Sequence, residues 1–113
     1  MQYMLLIYED ENAYREPQAI QAAVTAHTRL AADLRDKGVL VAGDGLQSSD
    51  TATTVRTGTA GQTSHDGPYS KTHEQLGGYY LIDVADEKAA LSWARQVPVT
   101  AGGGVEVRPL MTY

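Results

Sequence analysis

The 113-residue sequence contains no cysteine and no phenylalanine, and it has no cluster of lysine or arginine. Without cysteine there is no disulfide, thiolate nucleophile or zinc–thiolate site. Nine basic and fourteen acidic residues give a net charge of -5, whereas a nucleic-acid surface needs a basic patch. No apolar run approaches the roughly 20 residues of a membrane span, and the first residues are typical of a strand rather than a signal peptide. We therefore expect a cytoplasmic protein with no nucleic-acid or membrane partner.

Length and composition predict a single globular domain that spans residues 1–113. Hydrophobic residues make up 42% of the chain and charged residues 20%, as in ordinary folded domains. A chain of this length is sufficient for one core and too short for two. Seven tyrosines and Trp93 supply all the aromatic side chains. Tyrosine suits sites with one dry and one wet end, which favours a pocket or an interface, although half-buried strand positions explain most of the tyrosines.

The hydrophobic pattern predicts alternating strands and helices. Pro17 suits the first turn of a helix, Gly38 suits the end of that helix, and Asp86 can cap a second helix. Capping-box spacing predicts one further helical turn over residues 72–75. The predicted strands cover residues 3–8, 39–42, 51–56, 62–65, 79–84 and 105–110, and the predicted helices cover 17–37 and 86–96.

This order of elements predicts an α+β fold with both helices on one face of the sheet. The first strand nevertheless has apolar or aromatic side chains on both faces, because successive residues of a strand point in opposite directions. The face away from the helices must also leave water, so we predict a homodimer that joins two sheets face to face. The alternative is a long loop that folds over this face. The residues on the two faces are Tyr3, Leu5 and Ile7 on one, and Met4, Leu6 and Tyr8 on the other.

The segment from Asp66 to Asp83, DGPYSKTHEQLGGYYLID, resembles the signature of DGPF-type YCII-related proteins. The stretches GVLVAG at residues 38–43 and EVRPL at residues 106–110 also fit this family, as does the first strand. The resemblance therefore extends over essentially the whole chain. It implies a ferredoxin-like βαββαβ fold with a four- to five-stranded antiparallel sheet, assembled as a dimeric α+β barrel.

The resemblance leaves two classes of function open. YCII-related proteins are mostly of unknown function, but their superfamily includes muconolactone-isomerase-like enzymes and cofactor-free monooxygenases, and one branch resembles a dehydrochlorinase. This implies a cofactor-independent enzyme with His-dependent acid/base chemistry on a small aromatic or cyclic acid. Some DGPF-type domains occur beside sigma factors, which implies instead a non-catalytic dimeric module that binds a ligand or a regulatory partner. The chain has Tyr69, Lys71 and His73 where Phe, Glu and Lys are common in the family.

His27 is the leading candidate for a catalytic residue. It follows Ile20 by seven residues and precedes Leu34 by seven, so it shares the core-facing stripe of the first predicted helix. The resemblance implies the same residue, because YCII-related proteins place a His eleven residues before the glycine that ends this helix, here Gly38. Imidazole can exchange a proton near neutral pH. The alternative is a buried His bonded to a backbone carbonyl or a Tyr hydroxyl.

Asp66 is the predicted partner that orients His27, as carboxylates orient imidazole in other catalytic dyads. Its alternative is to bond the backbone of the Asp-Gly-Pro turn. Asp36 is suggested by the family's His–Asp pairing, but it lies two and a half helical turns from His27 and therefore on the far side of the helix.

The remaining candidates are substrate-binding residues. Arg108 could clamp a carboxylate or phenolate, or form an ion pair with Glu106. Tyr8, Tyr69 and Tyr80 are predicted to line an aromatic pocket, with ordinary packing as the alternative. No spacing of three or four ligands appears, so we expect no metal and no other cofactor.

Overall fold

A computed structural model describes residues 1–113 and confirms the α+β fold. Two short 3₁₀-helices, at Glu11–Tyr14 and Ser49–Thr51, accompany the strands and helices. The six strands are β1 (Gln2–Asp10), β2 (Leu40–Gly45), β3 (Thr53–Gly58), β4 (Gly61–Asp66), β5 (Glu74–Asp83) and β6 (Gly104–Pro109). The two helices are α1 (Pro17–Asp36) and α2 (Glu87–Ala94). Neither helix combines the length and apolar composition needed to cross a membrane.

Four of the strands form one antiparallel sheet in the order β2-β5-β1-β6. This is the ferredoxin-like order, in which β1 and β5 are the central pair. Their register places Leu5 opposite Tyr80 and Tyr3 opposite Ile82. Strands β3 and β4 pair only with each other, as a separate two-stranded hairpin, and nearly all their residues are exposed.

The hydrophobic core lies between one face of the sheet and the two helices. On β1, Tyr3, Leu5 and Ile7 alternate with less buried neighbours and point toward the helices. Both helices contribute buried side chains to the same cluster, which confirms that they share one face of the sheet. The core residues are Tyr3, Leu5, Ile7, Leu30, Leu34, Tyr80, Ile82, Val84, Ala90 and Val97.

Helix α1 packs on the sheet only through its C-terminal half. Leu30 and Leu34 are buried, whereas Ile20 and Val24, on the same predicted stripe, are 47% and 54% exposed. The apolar stripe therefore identifies which face of α1 points to the sheet, but not how far the helix lies from the sheet. The N-terminal half of α1 stands off from the sheet. Gly38 ends the helix with a φ of 71°, a conformation that glycine adopts without steric cost.

The loop before β5 contains no helical turn, so the prediction for residues 72–75 is wrong. The Thr72 hydroxyl donates to the Glu74 carbonyl at 2.7 Å, rather than accepting from an amide as a helix cap does. The Gln75 side-chain amide donates to the Ser70 carbonyl at 2.7 Å and the Thr72 carbonyl at 3.0 Å. Side chains therefore satisfy this loop's carbonyls, and β5 begins at Glu74. The Asp86 cap is confirmed, since its carboxylate accepts from the Ala89 backbone N–H at 2.9 Å.

The sheet face away from the helices, called here the open face, has an apolar centre. Met4 lies opposite Leu81 and Leu6 lies opposite Tyr79 across the central strand pair. These four side chains are partly exposed, so neither a helix nor a loop seals them from water. The open face therefore retains the apolar surface that the sequence predicts for it.

Candidate functional site

A pocket of about 600 Å³ lies beneath the N-terminal half of α1, where the helix stands off the sheet. Ile7 forms part of its floor, and Ile20, Val24 and Leu46 contribute apolar walls. Because β5 runs antiparallel to both β1 and β2, the ends of β1 and β2 and the beginning of β5 meet at the same edge of the sheet. Four glycines also line the pocket: Gly43, Gly45, Gly77 and Gly78.

His27 and Tyr80 form a hydrogen-bonded pair on the wall of this pocket. The His27 Nδ1 atom lies 2.8 Å from the Tyr80 hydroxyl, and the two rings stack with centroids 5.9 Å apart and an interplanar angle of 22°. Gly43 makes room for the Tyr80 ring, since a Cβ at this position would lie 2.8 Å from the Tyr80 Cδ1 atom. His27 is therefore bonded to a Tyr hydroxyl, as in the alternative to a catalytic role. It also faces a pocket that a small molecule can enter.

Glu9 is the one charged residue that is buried, with 7% of its surface exposed. It follows Ile7 by two positions on β1 and so points to the same side of the sheet, beneath the helix. Its Oε1 atom accepts a hydrogen bond from the Thr100 backbone N–H at 3.2 Å. No Lys or Arg forms an ion pair with it.

Burial in the pocket favours the neutral forms of His27, Tyr80 and Tyr14. Burial lowers the pKa of His27 below its ordinary value of 6.5, while the negative charge of Glu9 and a hydrogen bond with the Pro98 carbonyl partly oppose that shift. Burial also raises the pKa of Tyr80. The pKa of Tyr14 is raised by burial, with the hydrogen bond and charge of Glu9 adding to the effect. At neutral pH the site therefore contains an uncharged imidazole base and two phenol donors.

A titration of the His27 imidazole by NMR is expected to give a midpoint below 6.5, and a still lower midpoint in the Glu9→Gln variant. The substitution removes the negative charge that stabilises the imidazolium. Because the folded value lies below the unfolded one, the unfolded chain binds more protons between the two values. The His27 contribution to stability is therefore present above about pH 6.5 and is lost as the pH falls toward the folded pKa.

The matched control is Glu11→Gln, which removes a pocket carboxylate that is hydrogen-bonded to Ser49 and should leave the His27 midpoint unchanged. A wild-type midpoint above 6.5 would contradict the role of burial, and a rise in the Glu9→Gln variant would contradict the role of the Glu9 charge.

The Glu11 carboxylate closes one side of the pocket. It accepts hydrogen bonds from the Ser49 backbone N–H at 2.6 Å and from the Ser49 hydroxyl. These bonds connect the 3₁₀-helix after β1 with the segment that follows β2. The carboxylates of the pocket do not form a metal site, since no three His, Asp or Glu side chains converge suitably anywhere in the chain.

Of the predicted site residues, the structure brings together His27 and Tyr80 but not His27 and Asp66. Asp66 is the last residue of β4, is exposed, and does not line the pocket. The hairpin departs from the main sheet, and a local strand pattern does not determine that direction. Glu9, rather than Asp66, is the carboxylate whose charge acts on His27.

The structure places Tyr8, Tyr69 and Arg108 outside this pocket. Tyr8 belongs to the open face by alternation along β1. Tyr69 is 73% exposed, and the Arg56 guanidinium lies 4.5 Å from the centre of its ring. Arg108 is opposite Met4 on the open face, and its Nε atom is 3.4 Å from the Glu106 Oε2 atom, as in the ion-pair alternative.

The sequence reasoning missed Glu9 and Tyr14. Residues 9–16 are polar enough to read as a loop, but β1 continues to Asp10. The two-residue alternation of Tyr3, Leu5 and Ile7 is the signal that could have found Glu9, because its next member is residue 9. Tyr14 lies in the following 3₁₀-helix, and no comparable pattern marks it.

Comparison with known proteins confirms the YCII-related resemblance of the sequence. A family model described as the YCII-related domain matches residues 1–113. An uncharacterised protein of Rhizobium meliloti (strain 1021) is 35% identical over 109 residues, which cover 93% of this chain and 78% of that protein. Neither finding gives a reaction.

Proposed function

The chain belongs to the YCII-related family, and we propose that it is a cofactor-independent enzyme that moves a proton on a small ring-containing molecule. The observation that carries the proposal is the 2.8 Å contact between His27 Nδ1 and the Tyr80 hydroxyl at the wall of the pocket. General acid–base catalysis needs a base and an acid within hydrogen-bond reach of each other and of a bound substrate. The pocket volume is also within the roughly 300–1,000 Å³ typical of small-molecule sites.

In the proposed step, His27 takes a proton from the substrate through Tyr80. The Tyr80 hydroxyl passes its proton to His27 Nδ1 and receives one from the substrate, so that Tyr80 ends unchanged and His27 becomes an imidazolium. The substrate keeps the electron pair, which either accepts the proton back at another atom or expels a leaving group. The first outcome is an isomerisation and the second an elimination. The negative charge of Glu9 stabilises the imidazolium in the meantime.

The lining of the pocket supports a ring-containing substrate. The apolar side chains of Ile7, Ile20, Val24 and Leu46 offer contacts to a hydrocarbon ring. The sequence analysis predicts a substrate with an acidic group. Such a group would have no cationic partner in the pocket, because neither Lys nor Arg lines it.

A deuterium-exchange screen tests the proposed enzyme. The wild-type protein would be incubated in D₂O with cyclic ketones, lactones and halogenated cyclic compounds, each with and without an amino substituent, and the products analysed by NMR and mass spectrometry. We expect deuterium incorporation or elimination with at least one compound, and its disappearance with the His27→Gln variant. A wild-type protein that is inactive on every compound, or a variant as active as the wild type, would overturn the proposal.

We also propose that two copies associate through their open faces and form a dimeric α+β barrel. The apolar residues Met4, Leu6, Tyr79 and Leu81 support this assembly, because an exposed apolar sheet face gains stability by leaving water. The same face favours the second candidate function, a non-catalytic dimeric module that binds a ligand or a regulatory partner such as a sigma factor.

Light scattering after size-exclusion chromatography is expected to give a mass of about 24 kDa, twice the 12.2 kDa of one chain. The Leu6→Glu variant should shift toward the single-chain mass, because it buries a charge in the proposed interface. The control Ala32→Glu introduces the same charge at an exposed position of α1 and should stay dimeric. A wild-type mass of 12.2 kDa would contradict the proposed dimer.

A further inference from the structure

The charge of the pocket lining is entirely negative. Glu9, Glu11 and Asp44 are among the 19 lining residues, and neither Lys nor Arg is. All nine Lys and Arg residues of the chain lie outside this lining. An anionic ligand would meet three carboxylates here and no compensating charge.

Glu9 differs from the other two carboxylates because it is more than nine-tenths buried. Its hydrogen-bond partners, the Thr100 backbone N–H and the Tyr14 hydroxyl, are both uncharged. A buried carboxylate is normally paired with a cation, because removal of an ion from water is costly. While His27 is neutral, Glu9 has no such partner within the chain, so a positively charged group of a ligand would supply it.

The other two carboxylates of the pocket are less suited to bind a cation. Glu11 already receives two hydrogen bonds from Ser49, and Asp44 is exposed. Glu9 is therefore the carboxylate whose attraction for a cation is least screened by water and least satisfied by other bonds.

The surroundings of Glu9 suit an organic cation rather than a metal ion. The rings of Tyr14 and Tyr80 line the same pocket, and aromatic faces attract ammonium groups. Ile20 and Val24 keep about half of their surface exposed there, which leaves apolar area for a hydrocarbon part of the ligand. The combination of a buried carboxylate, aromatic rings and aliphatic walls matches a molecule with one cationic end and one apolar end.

We infer that the ligand of this pocket is a small protonated amine whose ammonium group binds Glu9 and whose apolar ring contacts Ile20 and Val24. This inference rests on the proposed function, because it assigns the substrate class of the same pocket. The inferred substrate is a cyclic amine, in place of the cyclic acid predicted from the sequence.

Three probes of similar size and different charge test the inference: benzylamine, benzyl alcohol and benzoate. Binding is measured by calorimetry and by amide chemical shifts near Glu9 and Val24. Benzylamine is expected to bind at least about tenfold more tightly than benzyl alcohol, since only the amine gains a charge-assisted hydrogen bond. Benzoate is expected to bind most weakly. Added salt should weaken the binding of benzylamine and leave that of benzyl alcohol unchanged.

The Glu9→Gln variant should bind benzylamine and benzyl alcohol equally, because glutamine keeps an acceptor for Thr100 but not the charge. The control Glu74→Gln, which alters an exposed carboxylate outside the lining, should keep the wild-type preference. The inference is overturned if benzoate binds as tightly as benzylamine, if Glu9→Gln keeps the preference, or if no probe binds the wild type. A protein that binds benzylamine but exchanges deuterium with no compound would overturn the proposed enzyme alone, whereas exchange together with a preference for benzoate would overturn the amine alone.

Discussion

Replacement of His27 by glutamine is expected to slow the proposed proton transfer by about 10²–10⁴-fold, the usual contribution of a positioned acid or base. Glutamine can still bond the Tyr80 hydroxyl, but its amide does not accept a proton near neutral pH. The substrate should therefore bind and fail to react, so that kcat falls while KM changes little. The measurement is steady-state kinetics with whichever compound the deuterium-exchange screen identifies.

Two further variants make this result interpretable. Tyr80→Phe keeps the stacked ring but removes the hydroxyl that contacts His27, so it should also lower kcat. His65→Gln alters an exposed residue of the hairpin and should behave as the wild type. The acid limb of the wild-type pH profile should have its midpoint below 6.5, because the base must be unprotonated and burial lowers the pKa of His27. If His27→Gln keeps the full kcat, the imidazole has only a structural role.

The second large effect is expected on stability. Leu34→Ala should lower the free energy of unfolding by about 2–5 kcal/mol, since Leu34 is fully buried and its truncation leaves a cavity. Such a loss is a large part of the roughly 5–15 kcal/mol that holds most domains folded. Urea unfolding followed by circular dichroism measures it, with the midpoint and slope compared with those of the wild type.

Val24→Ala is the matched control, because it truncates another aliphatic residue of the same helix. Val24 is 54% exposed over the pocket, so its truncation should cost less than about 1 kcal/mol. Equal losses for the two variants would mean that α1 packs on the sheet along its whole length, and that no pocket separates its first half from the sheet.

The fold was largely predictable from the sequence because its signals are local. Each signal depends on a few neighbouring residues: the apolar run from Tyr3 to Tyr8, the proline at the start of α1 and the glycine after it. The length of β1 was not predictable in the same way. Glu9 and Asp10 are polar, and their pairing with the first two residues of β5 shows that the strand continues past the apolar run.

The candidate site was predictable only in part, because its partners come from distant segments. The stripe on α1 points His27 to the sheet, and β5 points Tyr80 to the helices, so each direction follows from periodicity. Their meeting at 2.8 Å depends on the angle between helix and sheet. The sequence analysis chose Asp66 as the carboxylate beside His27, and this choice failed for a related reason. The hairpin pattern predicts that β3 pairs with β4, but it does not predict the direction in which the hairpin leaves the sheet.

The division of α1 into a packed half and a detached half has a consequence for how the protein can evolve. Leu30 and Leu34 are buried and hold the helix in place, so substitutions there cost much of the stability of the fold. Ile20 and Val24 contribute little to the core, and changes there would reshape the pocket at small cost. New ligand preferences could therefore arise in this lineage by single substitutions in the first turns of α1, with the rest of the scaffold as a constant background.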